Sequence, residues 1–135
     1  MKMFNIEQAA LNGNLEAVQL YVARTDDYRF SYEIGRIVQL ACEKGHMHLM
    51  DWMFARFPDD ASLCEFALRG ACFAGNLPLA TEMIKRGAQM INLALYEACR
   101  GGWFYMVDFL LTKGAKEYNL GLQGACVSGD LEMVV

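Results

Sequence analysis

The chain has 135 residues, the length of one ordinary domain, and is long enough to bury a hydrophobic core. Hydrophobic residues make up 55% of it and charged residues 21%, a balance that excludes a disordered charged tail. The formal net charge of -4 argues against a nucleic-acid partner, because surfaces that bind phosphates are basic.

No apolar run approaches the roughly 18 residues that a membrane span needs, and the best one, from Phe104 to Leu111, contains Asp108. The first residues also lack the apolar core of a secretory signal. We therefore expect a cytoplasmic protein with no membrane partner. The five cysteines, an odd number, do not favour a disulfide framework, and we interpret them as core residues.

A short motif recurs five times along the chain and predicts a repeat architecture. It consists of Ala, a small residue, two variable residues, Gly, one variable residue and an apolar residue. The copies begin at Ala9, Ala41, Ala71, Ala98 and Ala125, and their glycines are Gly13, Gly45, Gly75, Gly102 and Gly129. The glycines follow one another at intervals of 27 to 32 residues, so each copy marks one structural unit.

Each unit is predicted to contain two helices joined at the repeat glycine. Apolar residues fall at helical spacing on both sides of that glycine, as at Leu95 and Cys99 before Gly102 and at Val107 and Leu110 after it. The repeat glycine is interpreted as the left-handed residue that ends the first helix. Gly87 and Gly114 are predicted to end second helices in the same way.

Three helix starts carry capping signals. Residues 62–65, Ser-Leu-Cys-Glu, have the spacing of a capping box, in which Ser62 and Glu65 would bond to each other's backbone. Asn92 and Asn119 each precede a leucine where an N-cap is needed. These signals predict helices that begin at about residues 62, 93 and 120.

The predicted fold is a single all-α domain over residues 1–135. Its units span about 4–30, 31–60, 62–90, 92–117 and 119–135. The last unit stops six residues into its second helix, so we expect four full units, a partial fifth and an array truncated at its C-terminus. Self-association through this unfinished unit is a possible consequence.

This arrangement resembles the ankyrin repeat, whose ending Ala-Ala-x-x-Gly-His-Leu-x-x-Val-x-x-Leu-Leu-x-x-Gly-Ala is met most fully by residues 71–88 and 98–115. The resemblance covers nearly the whole chain and implies a helix-turn-helix solenoid that binds proteins. The start of the unit departs from the family, because residues 93–96 replace its Thr-Pro-Leu-His. Only three residues separate Ala88 from Asn92, so we expect the β-hairpin fingers to be mostly absent.

The short units are also similar to the divergent ankyrin repeats of large DNA viruses. That similarity implies a viral factor that engages a host cytoplasmic protein. An alternative is the substrate-recruiting arm of a larger enzyme, such as a ubiquitin-ligase adaptor.

The sequence offers little for catalysis. It has two histidines and three serines, and it lacks the nucleophile-elbow, P-loop and dinucleotide-binding motifs. We therefore predict no enzyme activity, no cofactor and no small-molecule substrate. Asp26-Asp27 and Asp59-Asp60 are interpreted as turn residues in the long connections between units.

One group of residues could in principle bind zinc. Cys42, His46 and His48 lie within seven residues of each other. Gly45 interrupts the chain between them, however, and we expect the two imidazoles to point in different directions. Structural histidines are the favoured interpretation, and a metal or redox protein is kept as an alternative.

The predicted partner-binding residues lie just before the repeat glycines, where the sequence varies while its flanks do not. In proteins similar to this one the corresponding positions line the binding groove, so we predict that Glu43, Lys44, Phe73 and Arg100 contact a protein partner. Phe73 is the predicted anchor, because aromatic and arginine side chains dominate protein interfaces. The alternative is that Phe73 fills a gap between units.

A second patch is predicted from three aromatic residues. Trp103 and Tyr105 open a second helix, and Tyr96 lies on the helix before it. Together they could bind the partner or pack between units, and the sequence leaves both interpretations open.

Overall fold

A computed structural model of the protein describes residues 5–24 and 31–114. Within these ranges it has eight helices and no strand, which confirms the all-α prediction for this part of the chain. The helices are α1 (Ile6–Leu11), α2 (Leu15–Arg24), α3 (Ser31–Lys44), α4 (Met47–Arg56), α5 (Ser62–Ala74), α6 (Leu77–Lys85), α7 (Ile91–Gly101) and α8 (Phe104–Thr112). The predicted fifth unit, with Asn119, Cys126 and Gly129, lies outside the described residues.

The repeat motif forms the same turn in each of the four described units. In the third, the N–H of Gly75 donates to the carbonyl of Cys72 at 3.2 Å, and the N–H of Asn76 donates to that of Ala71 at 2.8 Å. The equivalent pair of bonds occurs in the other three units, and the four glycines have φ between 68° and 77°. This is the Schellman motif, in which a left-handed residue ends a helix. The predicted role of these glycines is confirmed.

The second helices of the third and fourth units also end at glycine, as predicted. Gly87 follows α6 with φ of 109°, and Gly114 follows α8 with φ of 101°. A side chain at such φ values is strained, which explains glycine at both positions.

The predicted capping box at residues 62–65 is wrong. The N-cap of α5 is Ala61, and the carboxylate of Asp60 accepts the N–H of Ser62 at 3.0 Å. Glu65 does not turn back to this N-terminus. Its carboxylate accepts the N–H groups of Gln89 and Met90, at 2.9 and 3.0 Å, in the connection that leads to α7.

The predicted N-cap at Asn92 is wrong for the same reason. α7 begins at Ile91, two residues before the predicted start, and its N-cap is Met90. The carboxylate of Glu65, which comes from the preceding unit, sits at this helix N-terminus instead, where a negative charge is favourable.

The odd-numbered helices connect the units. α1 packs on α3, α3 on α5, and α5 on α7, and each odd-numbered helix also packs on the helix that follows it. The largest fully buried apolar side chains come from α3, α4, α5, α6 and α8: Ile37, Leu49, Met53, Leu63, Leu68, Met83, Met106 and Leu110. The core therefore runs continuously from one unit to the next.

α3 and α5 form the most extensive of these contacts. A Cβ on Gly70 of α5 would collide with the carbonyl oxygen of Gln39 on α3 and would lie 2.7 Å from Cβ of Cys42. A Cβ on Gly35 of α3 would collide with the ring of Phe66 on α5. Both positions are glycine because the two helices approach each other so closely.

Candidate functional site

Four of the predicted partner-binding residues lie at the ends of first helices. Glu43 and Lys44 end α3, Phe73 lies in the last turn of α5, and Arg100 lies in the last turn of α7. Lys44 is exposed and the other three side chains are half-buried, so none belongs to the fully buried core. Three successive units thus present an accessible side chain two residues before their turn glycine.

Phe73 and Arg100 are in direct contact across the boundary between two units. The guanidinium carbon of Arg100 lies 4.7 Å from the centroid of the Phe73 ring, within the range of a cation–π interaction. Phe73 therefore fills space between α5 and α7 while part of its ring stays accessible. The contact with Arg100 agrees with the interpretation that Phe73 fills a gap between units, and its binding to a partner stays a prediction.

Glu97 is a functional candidate that the sequence prediction missed. It is 2% exposed, and its carboxylate accepts from Nη1 of Arg100 at 2.5 Å and lies 3.6 Å from Nη2 of Arg69. A buried carboxylate between two guanidinium groups fixes their positions, while the outer edges of both remain partly exposed. A signal was present in the sequence, since Glu97 interrupts the apolar face of α7 three residues before Arg100.

Glu43 lies close to this group of charges. Burial raises the pKa of its carboxyl, Arg36 and Arg100 act to lower it, and Glu97 acts to raise it. Nε2 of Gln39 donates to the Glu43 carboxylate at 3.3 Å. The charges of α3 and α7 therefore influence each other across α5.

We call this surface the charged face. It comprises Arg36, Glu43 and the exposed Lys44 on α3, Arg69 and Phe73 on α5, and Glu97 and Arg100 on α7. It continues to α1 through an ion pair of 3.3 Å between Arg36 and Glu7. Positive and negative groups alternate along it, which favours a partner of mixed charge over a polyanion.

Trp103 and Tyr105 bond to the turn of the preceding unit. Nε1 of Trp103 donates to the carbonyl of Phe73 at 2.8 Å, and the hydroxyl of Tyr105 donates to that of Gly75. The two rings are neighbours, with centroids 5.9 Å apart, and are 37% and 47% exposed. Tyr96 makes no ring contact with either within the described ranges, and its part in the predicted patch stays a prediction.

His46 and His48 repeat this arrangement two boundaries earlier, at the Gly13 turn. Their Nε2 atoms lie 2.8 and 3.1 Å from the carbonyl oxygens of Leu11 and Gly13. A carbonyl can only accept, so each Nε2 carries a proton. The prediction that the two imidazoles point in different directions is wrong, because both face the same turn. Both rings therefore take part in the contact between the first and second units.

The cysteines of the motif are buried, as predicted, at the three positions that the structure describes, Cys42, Cys72 and Cys99. Burial raises the pKa of the Cys42 and Cys72 thiols to about 12 and also raises that of Cys99. Thiols held in the protonated form are poor nucleophiles and poor metal ligands.

Within residues 5–24 and 31–114, no group of three or more His, Cys, Asp or Glu side chains is arranged to hold a metal ion. No helix in the same ranges has both the length and the apolar character required to cross a membrane.

The chain matches no protein-family model, and no curated protein sequence matches it.

Proposed function

We propose that the protein is a non-catalytic, ankyrin-like solenoid that binds a protein partner through the charged face. The observation that carries this proposal is the convergence of Glu43, Phe73 and Arg100. These residues belong to three successive units and lie on three different helices, yet Arg100 contacts Phe73 and acts on the pKa of Glu43.

The chemistry of this surface supports protein recognition. The Phe73 ring is covered on one side by a guanidinium, and Glu97 holds both Arg69 and Arg100 in place. Arginine and aromatic side chains in fixed positions are the groups that contribute most at protein interfaces. Because the arginines are anchored before binding, little side-chain entropy is lost when a partner carboxylate or carbonyl reaches their outer edges.

The repeated turn and the packing of the odd-numbered helices in chain order support the solenoid. In such arrays each unit contacts only its neighbours, which leaves an extended surface for a partner. The resemblance to viral repeats extends the proposal to a cytoplasmic protein of the host as the target.

Affinity capture from cytoplasmic extract, quantified by mass spectrometry, tests the proposal. The bait proteins are the unchanged chain, Phe73→Ala and Lys44→Glu, the last of which reverses an exposed charge beside Glu43. Lys85→Glu is the matched control, since Lys85 is also an exposed lysine in the last turn of a helix, but on α6. Circular dichroism and urea unfolding establish that all four proteins are folded.

We expect at least one protein that the unchanged chain and Lys85→Glu recover equally and that both other variants lose. Equal recovery by all four baits, or recovery of nothing by any of them, would contradict binding through the charged face.

A further inference from the structure

The boundaries between units are held in two different ways. At the Gly13 and Gly75 turns, two ring side chains of the next unit bond to the carbonyls of the turn. They are His46 and His48 at Gly13, and Trp103 and Tyr105 at Gly75. In each pair the rings lie one and three residues after the glycine of their own unit. The rings also pack directly on the glycines. A Cβ would lie 2.7 Å from the imidazole of His46 at Gly13 and 2.6 Å from the indole of Trp103 at Gly75.

The Gly45 turn, which lies between them, has the same geometry but no ring over it. The equivalent positions of the next unit are Asn76 and Pro78. Asn76 turns its side chain toward its own helix, where Oδ1 accepts the N–H of Leu79 at 3.2 Å, and proline has no donor. A Cβ on Gly45 would meet no atom within 4 Å, so the space that a ring fills at the other two turns is open here.

Among the described residues, no side chain donates to the acceptors of this open turn. The carbonyl of Glu43 corresponds to those of Leu11 and Phe73, which accept from His46 and Trp103. The carbonyl of Gly45 accepts the N–H of Met47 at 3.0 Å and keeps a second lone pair. Glu43 and Lys44, both predicted to bind a partner, supply the side chains beside these carbonyls.

We propose that the Gly45 turn is the docking site for an aromatic side chain of the partner protein that carries an N–H or O–H donor: tryptophan, tyrosine or histidine. The partner ring stacks on Gly45 and donates to the carbonyl of Glu43, as Trp103 does at Gly75. The chain's own occupied turns identify this chemistry, because they show what the same backbone binds. This inference rests on the proposed function and adds the chemistry of the partner.

A random peptide library displayed on phage tests the inference by selection on the unchanged chain. Gly45→Asn is the blocking variant, since asparagine tolerates positive φ and its side chain occupies the open space. Gly87→Asn is the matched control, because Gly87 also has positive φ and open space over it. Urea unfolding of both variants establishes that they are folded before binding is compared.

We expect the selected peptides to be enriched in tryptophan, tyrosine or histidine, to bind Gly87→Asn as they bind the unchanged chain, and to lose about tenfold or more in affinity for Gly45→Asn. The donor is tested in the best peptide by replacing tryptophan with 1-methyltryptophan, or tyrosine with phenylalanine. Loss of affinity on this change is expected, because the ring remains while the donor is removed.

Peptides without aromatic donors, equal affinity for Gly45→Asn and the unchanged chain, or a library that yields no binder would overturn the inference. Peptides that lose affinity for Phe73→Ala but not for Gly45→Asn would reject the docking site and leave the proposed function standing. Peptides that bind Phe73→Ala and Gly45→Asn with the same affinity as the unchanged chain would contradict both proposals.

Discussion

The indole N–H of Trp103 donates to the carbonyl of Phe73, 30 residues earlier in the chain, at 2.8 Å. His46 makes the equivalent bond to Leu11 across 35 residues. In both cases a side chain that follows the turn of one unit donates to the turn of the preceding unit. A residue predicted from the sequence to bind a partner thus also connects two units.

Removing the indole donor should lower stability. Trp103→Phe keeps a ring over Gly75 but leaves the Phe73 carbonyl without this donor, so we expect the free energy of unfolding to fall by about 1 kcal/mol. Trp103→His restores an N–H donor of the kind used at His46 and should recover part of the loss. Urea denaturation followed by circular dichroism measures both. A Trp103→Phe variant as stable as the unchanged chain would contradict the role of this bond.

Gly70→Ala should destabilise the protein by about 1–3 kcal/mol, because the new methyl group would be forced against the Gln39 carbonyl of α3. The sign of the effect is itself informative. In the interior of a helix, alanine in place of glycine ordinarily stabilises by roughly 0.5–1 kcal/mol. A gain in the midpoint of thermal unfolding would therefore show that α3 and α5 are not held as closely as the structure indicates.

Glu97→Gln should cost about 1–3 kcal/mol, since Arg69 and Arg100 would lose the carboxylate that both of them contact. The matched control is Glu82→Gln, which removes an exposed carboxylate that pairs with Arg86 at 3.2 Å. An exposed pair contributes little, so this change should stay within about 0.5 kcal/mol. Urea unfolding of the two variants side by side checks the prediction, and equal losses would contradict it.

The titration of Glu43 should make stability depend on pH. Burial raises the pKa of its carboxyl in the folded protein above the ordinary 4.5, so the folded state holds this proton more firmly than the unfolded chain does. The stability that this proton contributes is fully present below the pKa that Glu43 has in the unfolded chain. It is lost as the pH rises through the pKa that Glu43 has in the folded protein.

Glu43→Gln removes this titration while keeping an oxygen acceptor for Gln39. We therefore expect the variant to gain stability relative to the unchanged chain between about pH 4 and about pH 7. Free energies of unfolding in urea at the two pH values measure the change. A difference between the two proteins that stays constant with pH would argue against a raised pKa.

The buried thiols should react slowly in the folded protein. The experiment uses Cys126→Ser, because Cys126 lies outside the described residues. Cys64 is half-buried, whereas Cys42, Cys72 and Cys99 are buried. We expect dithiobis(nitrobenzoic acid) to modify Cys64 first and the other three only after unfolding. A Cys64→Ser variant that keeps the fast reaction would contradict this order.

The features that the sequence predicted correctly are local. A left-handed turn favours glycine, so Gly45 and Gly75 indicate the ends of α3 and α5 directly. The short apolar residues Ala71 and Cys72, whose carbonyls accept the N–H groups of this turn, are buried as the sequence predicted. These inferences need no knowledge of which units are neighbours.

The features that the sequence missed involve partners that are distant in the chain. Glu65 has the spacing of a local cap, yet it bonds to residues about 24 positions later, and no pattern within one unit reveals that choice. Trp103 was identified by its aromatic character but not by its bond to Phe73. Alignment of the units on their glycines offered a signal, since Trp103 and His46 occupy the same position and both can donate.

The contact between Glu65 and the start of α7 determines where foreign sequence can be spliced into the protein. An insertion beside Gln89 would carry the N–H groups of Gln89 and Met90 away from that carboxylate and remove the charge that both of them contact. Pro58 and Asp59 are both exposed in the connection between α4 and α5, and Asp60 after them holds the start of α5. A grafted epitope therefore belongs between Pro58 and Asp59, where the chain can be lengthened without separating a helix from its cap.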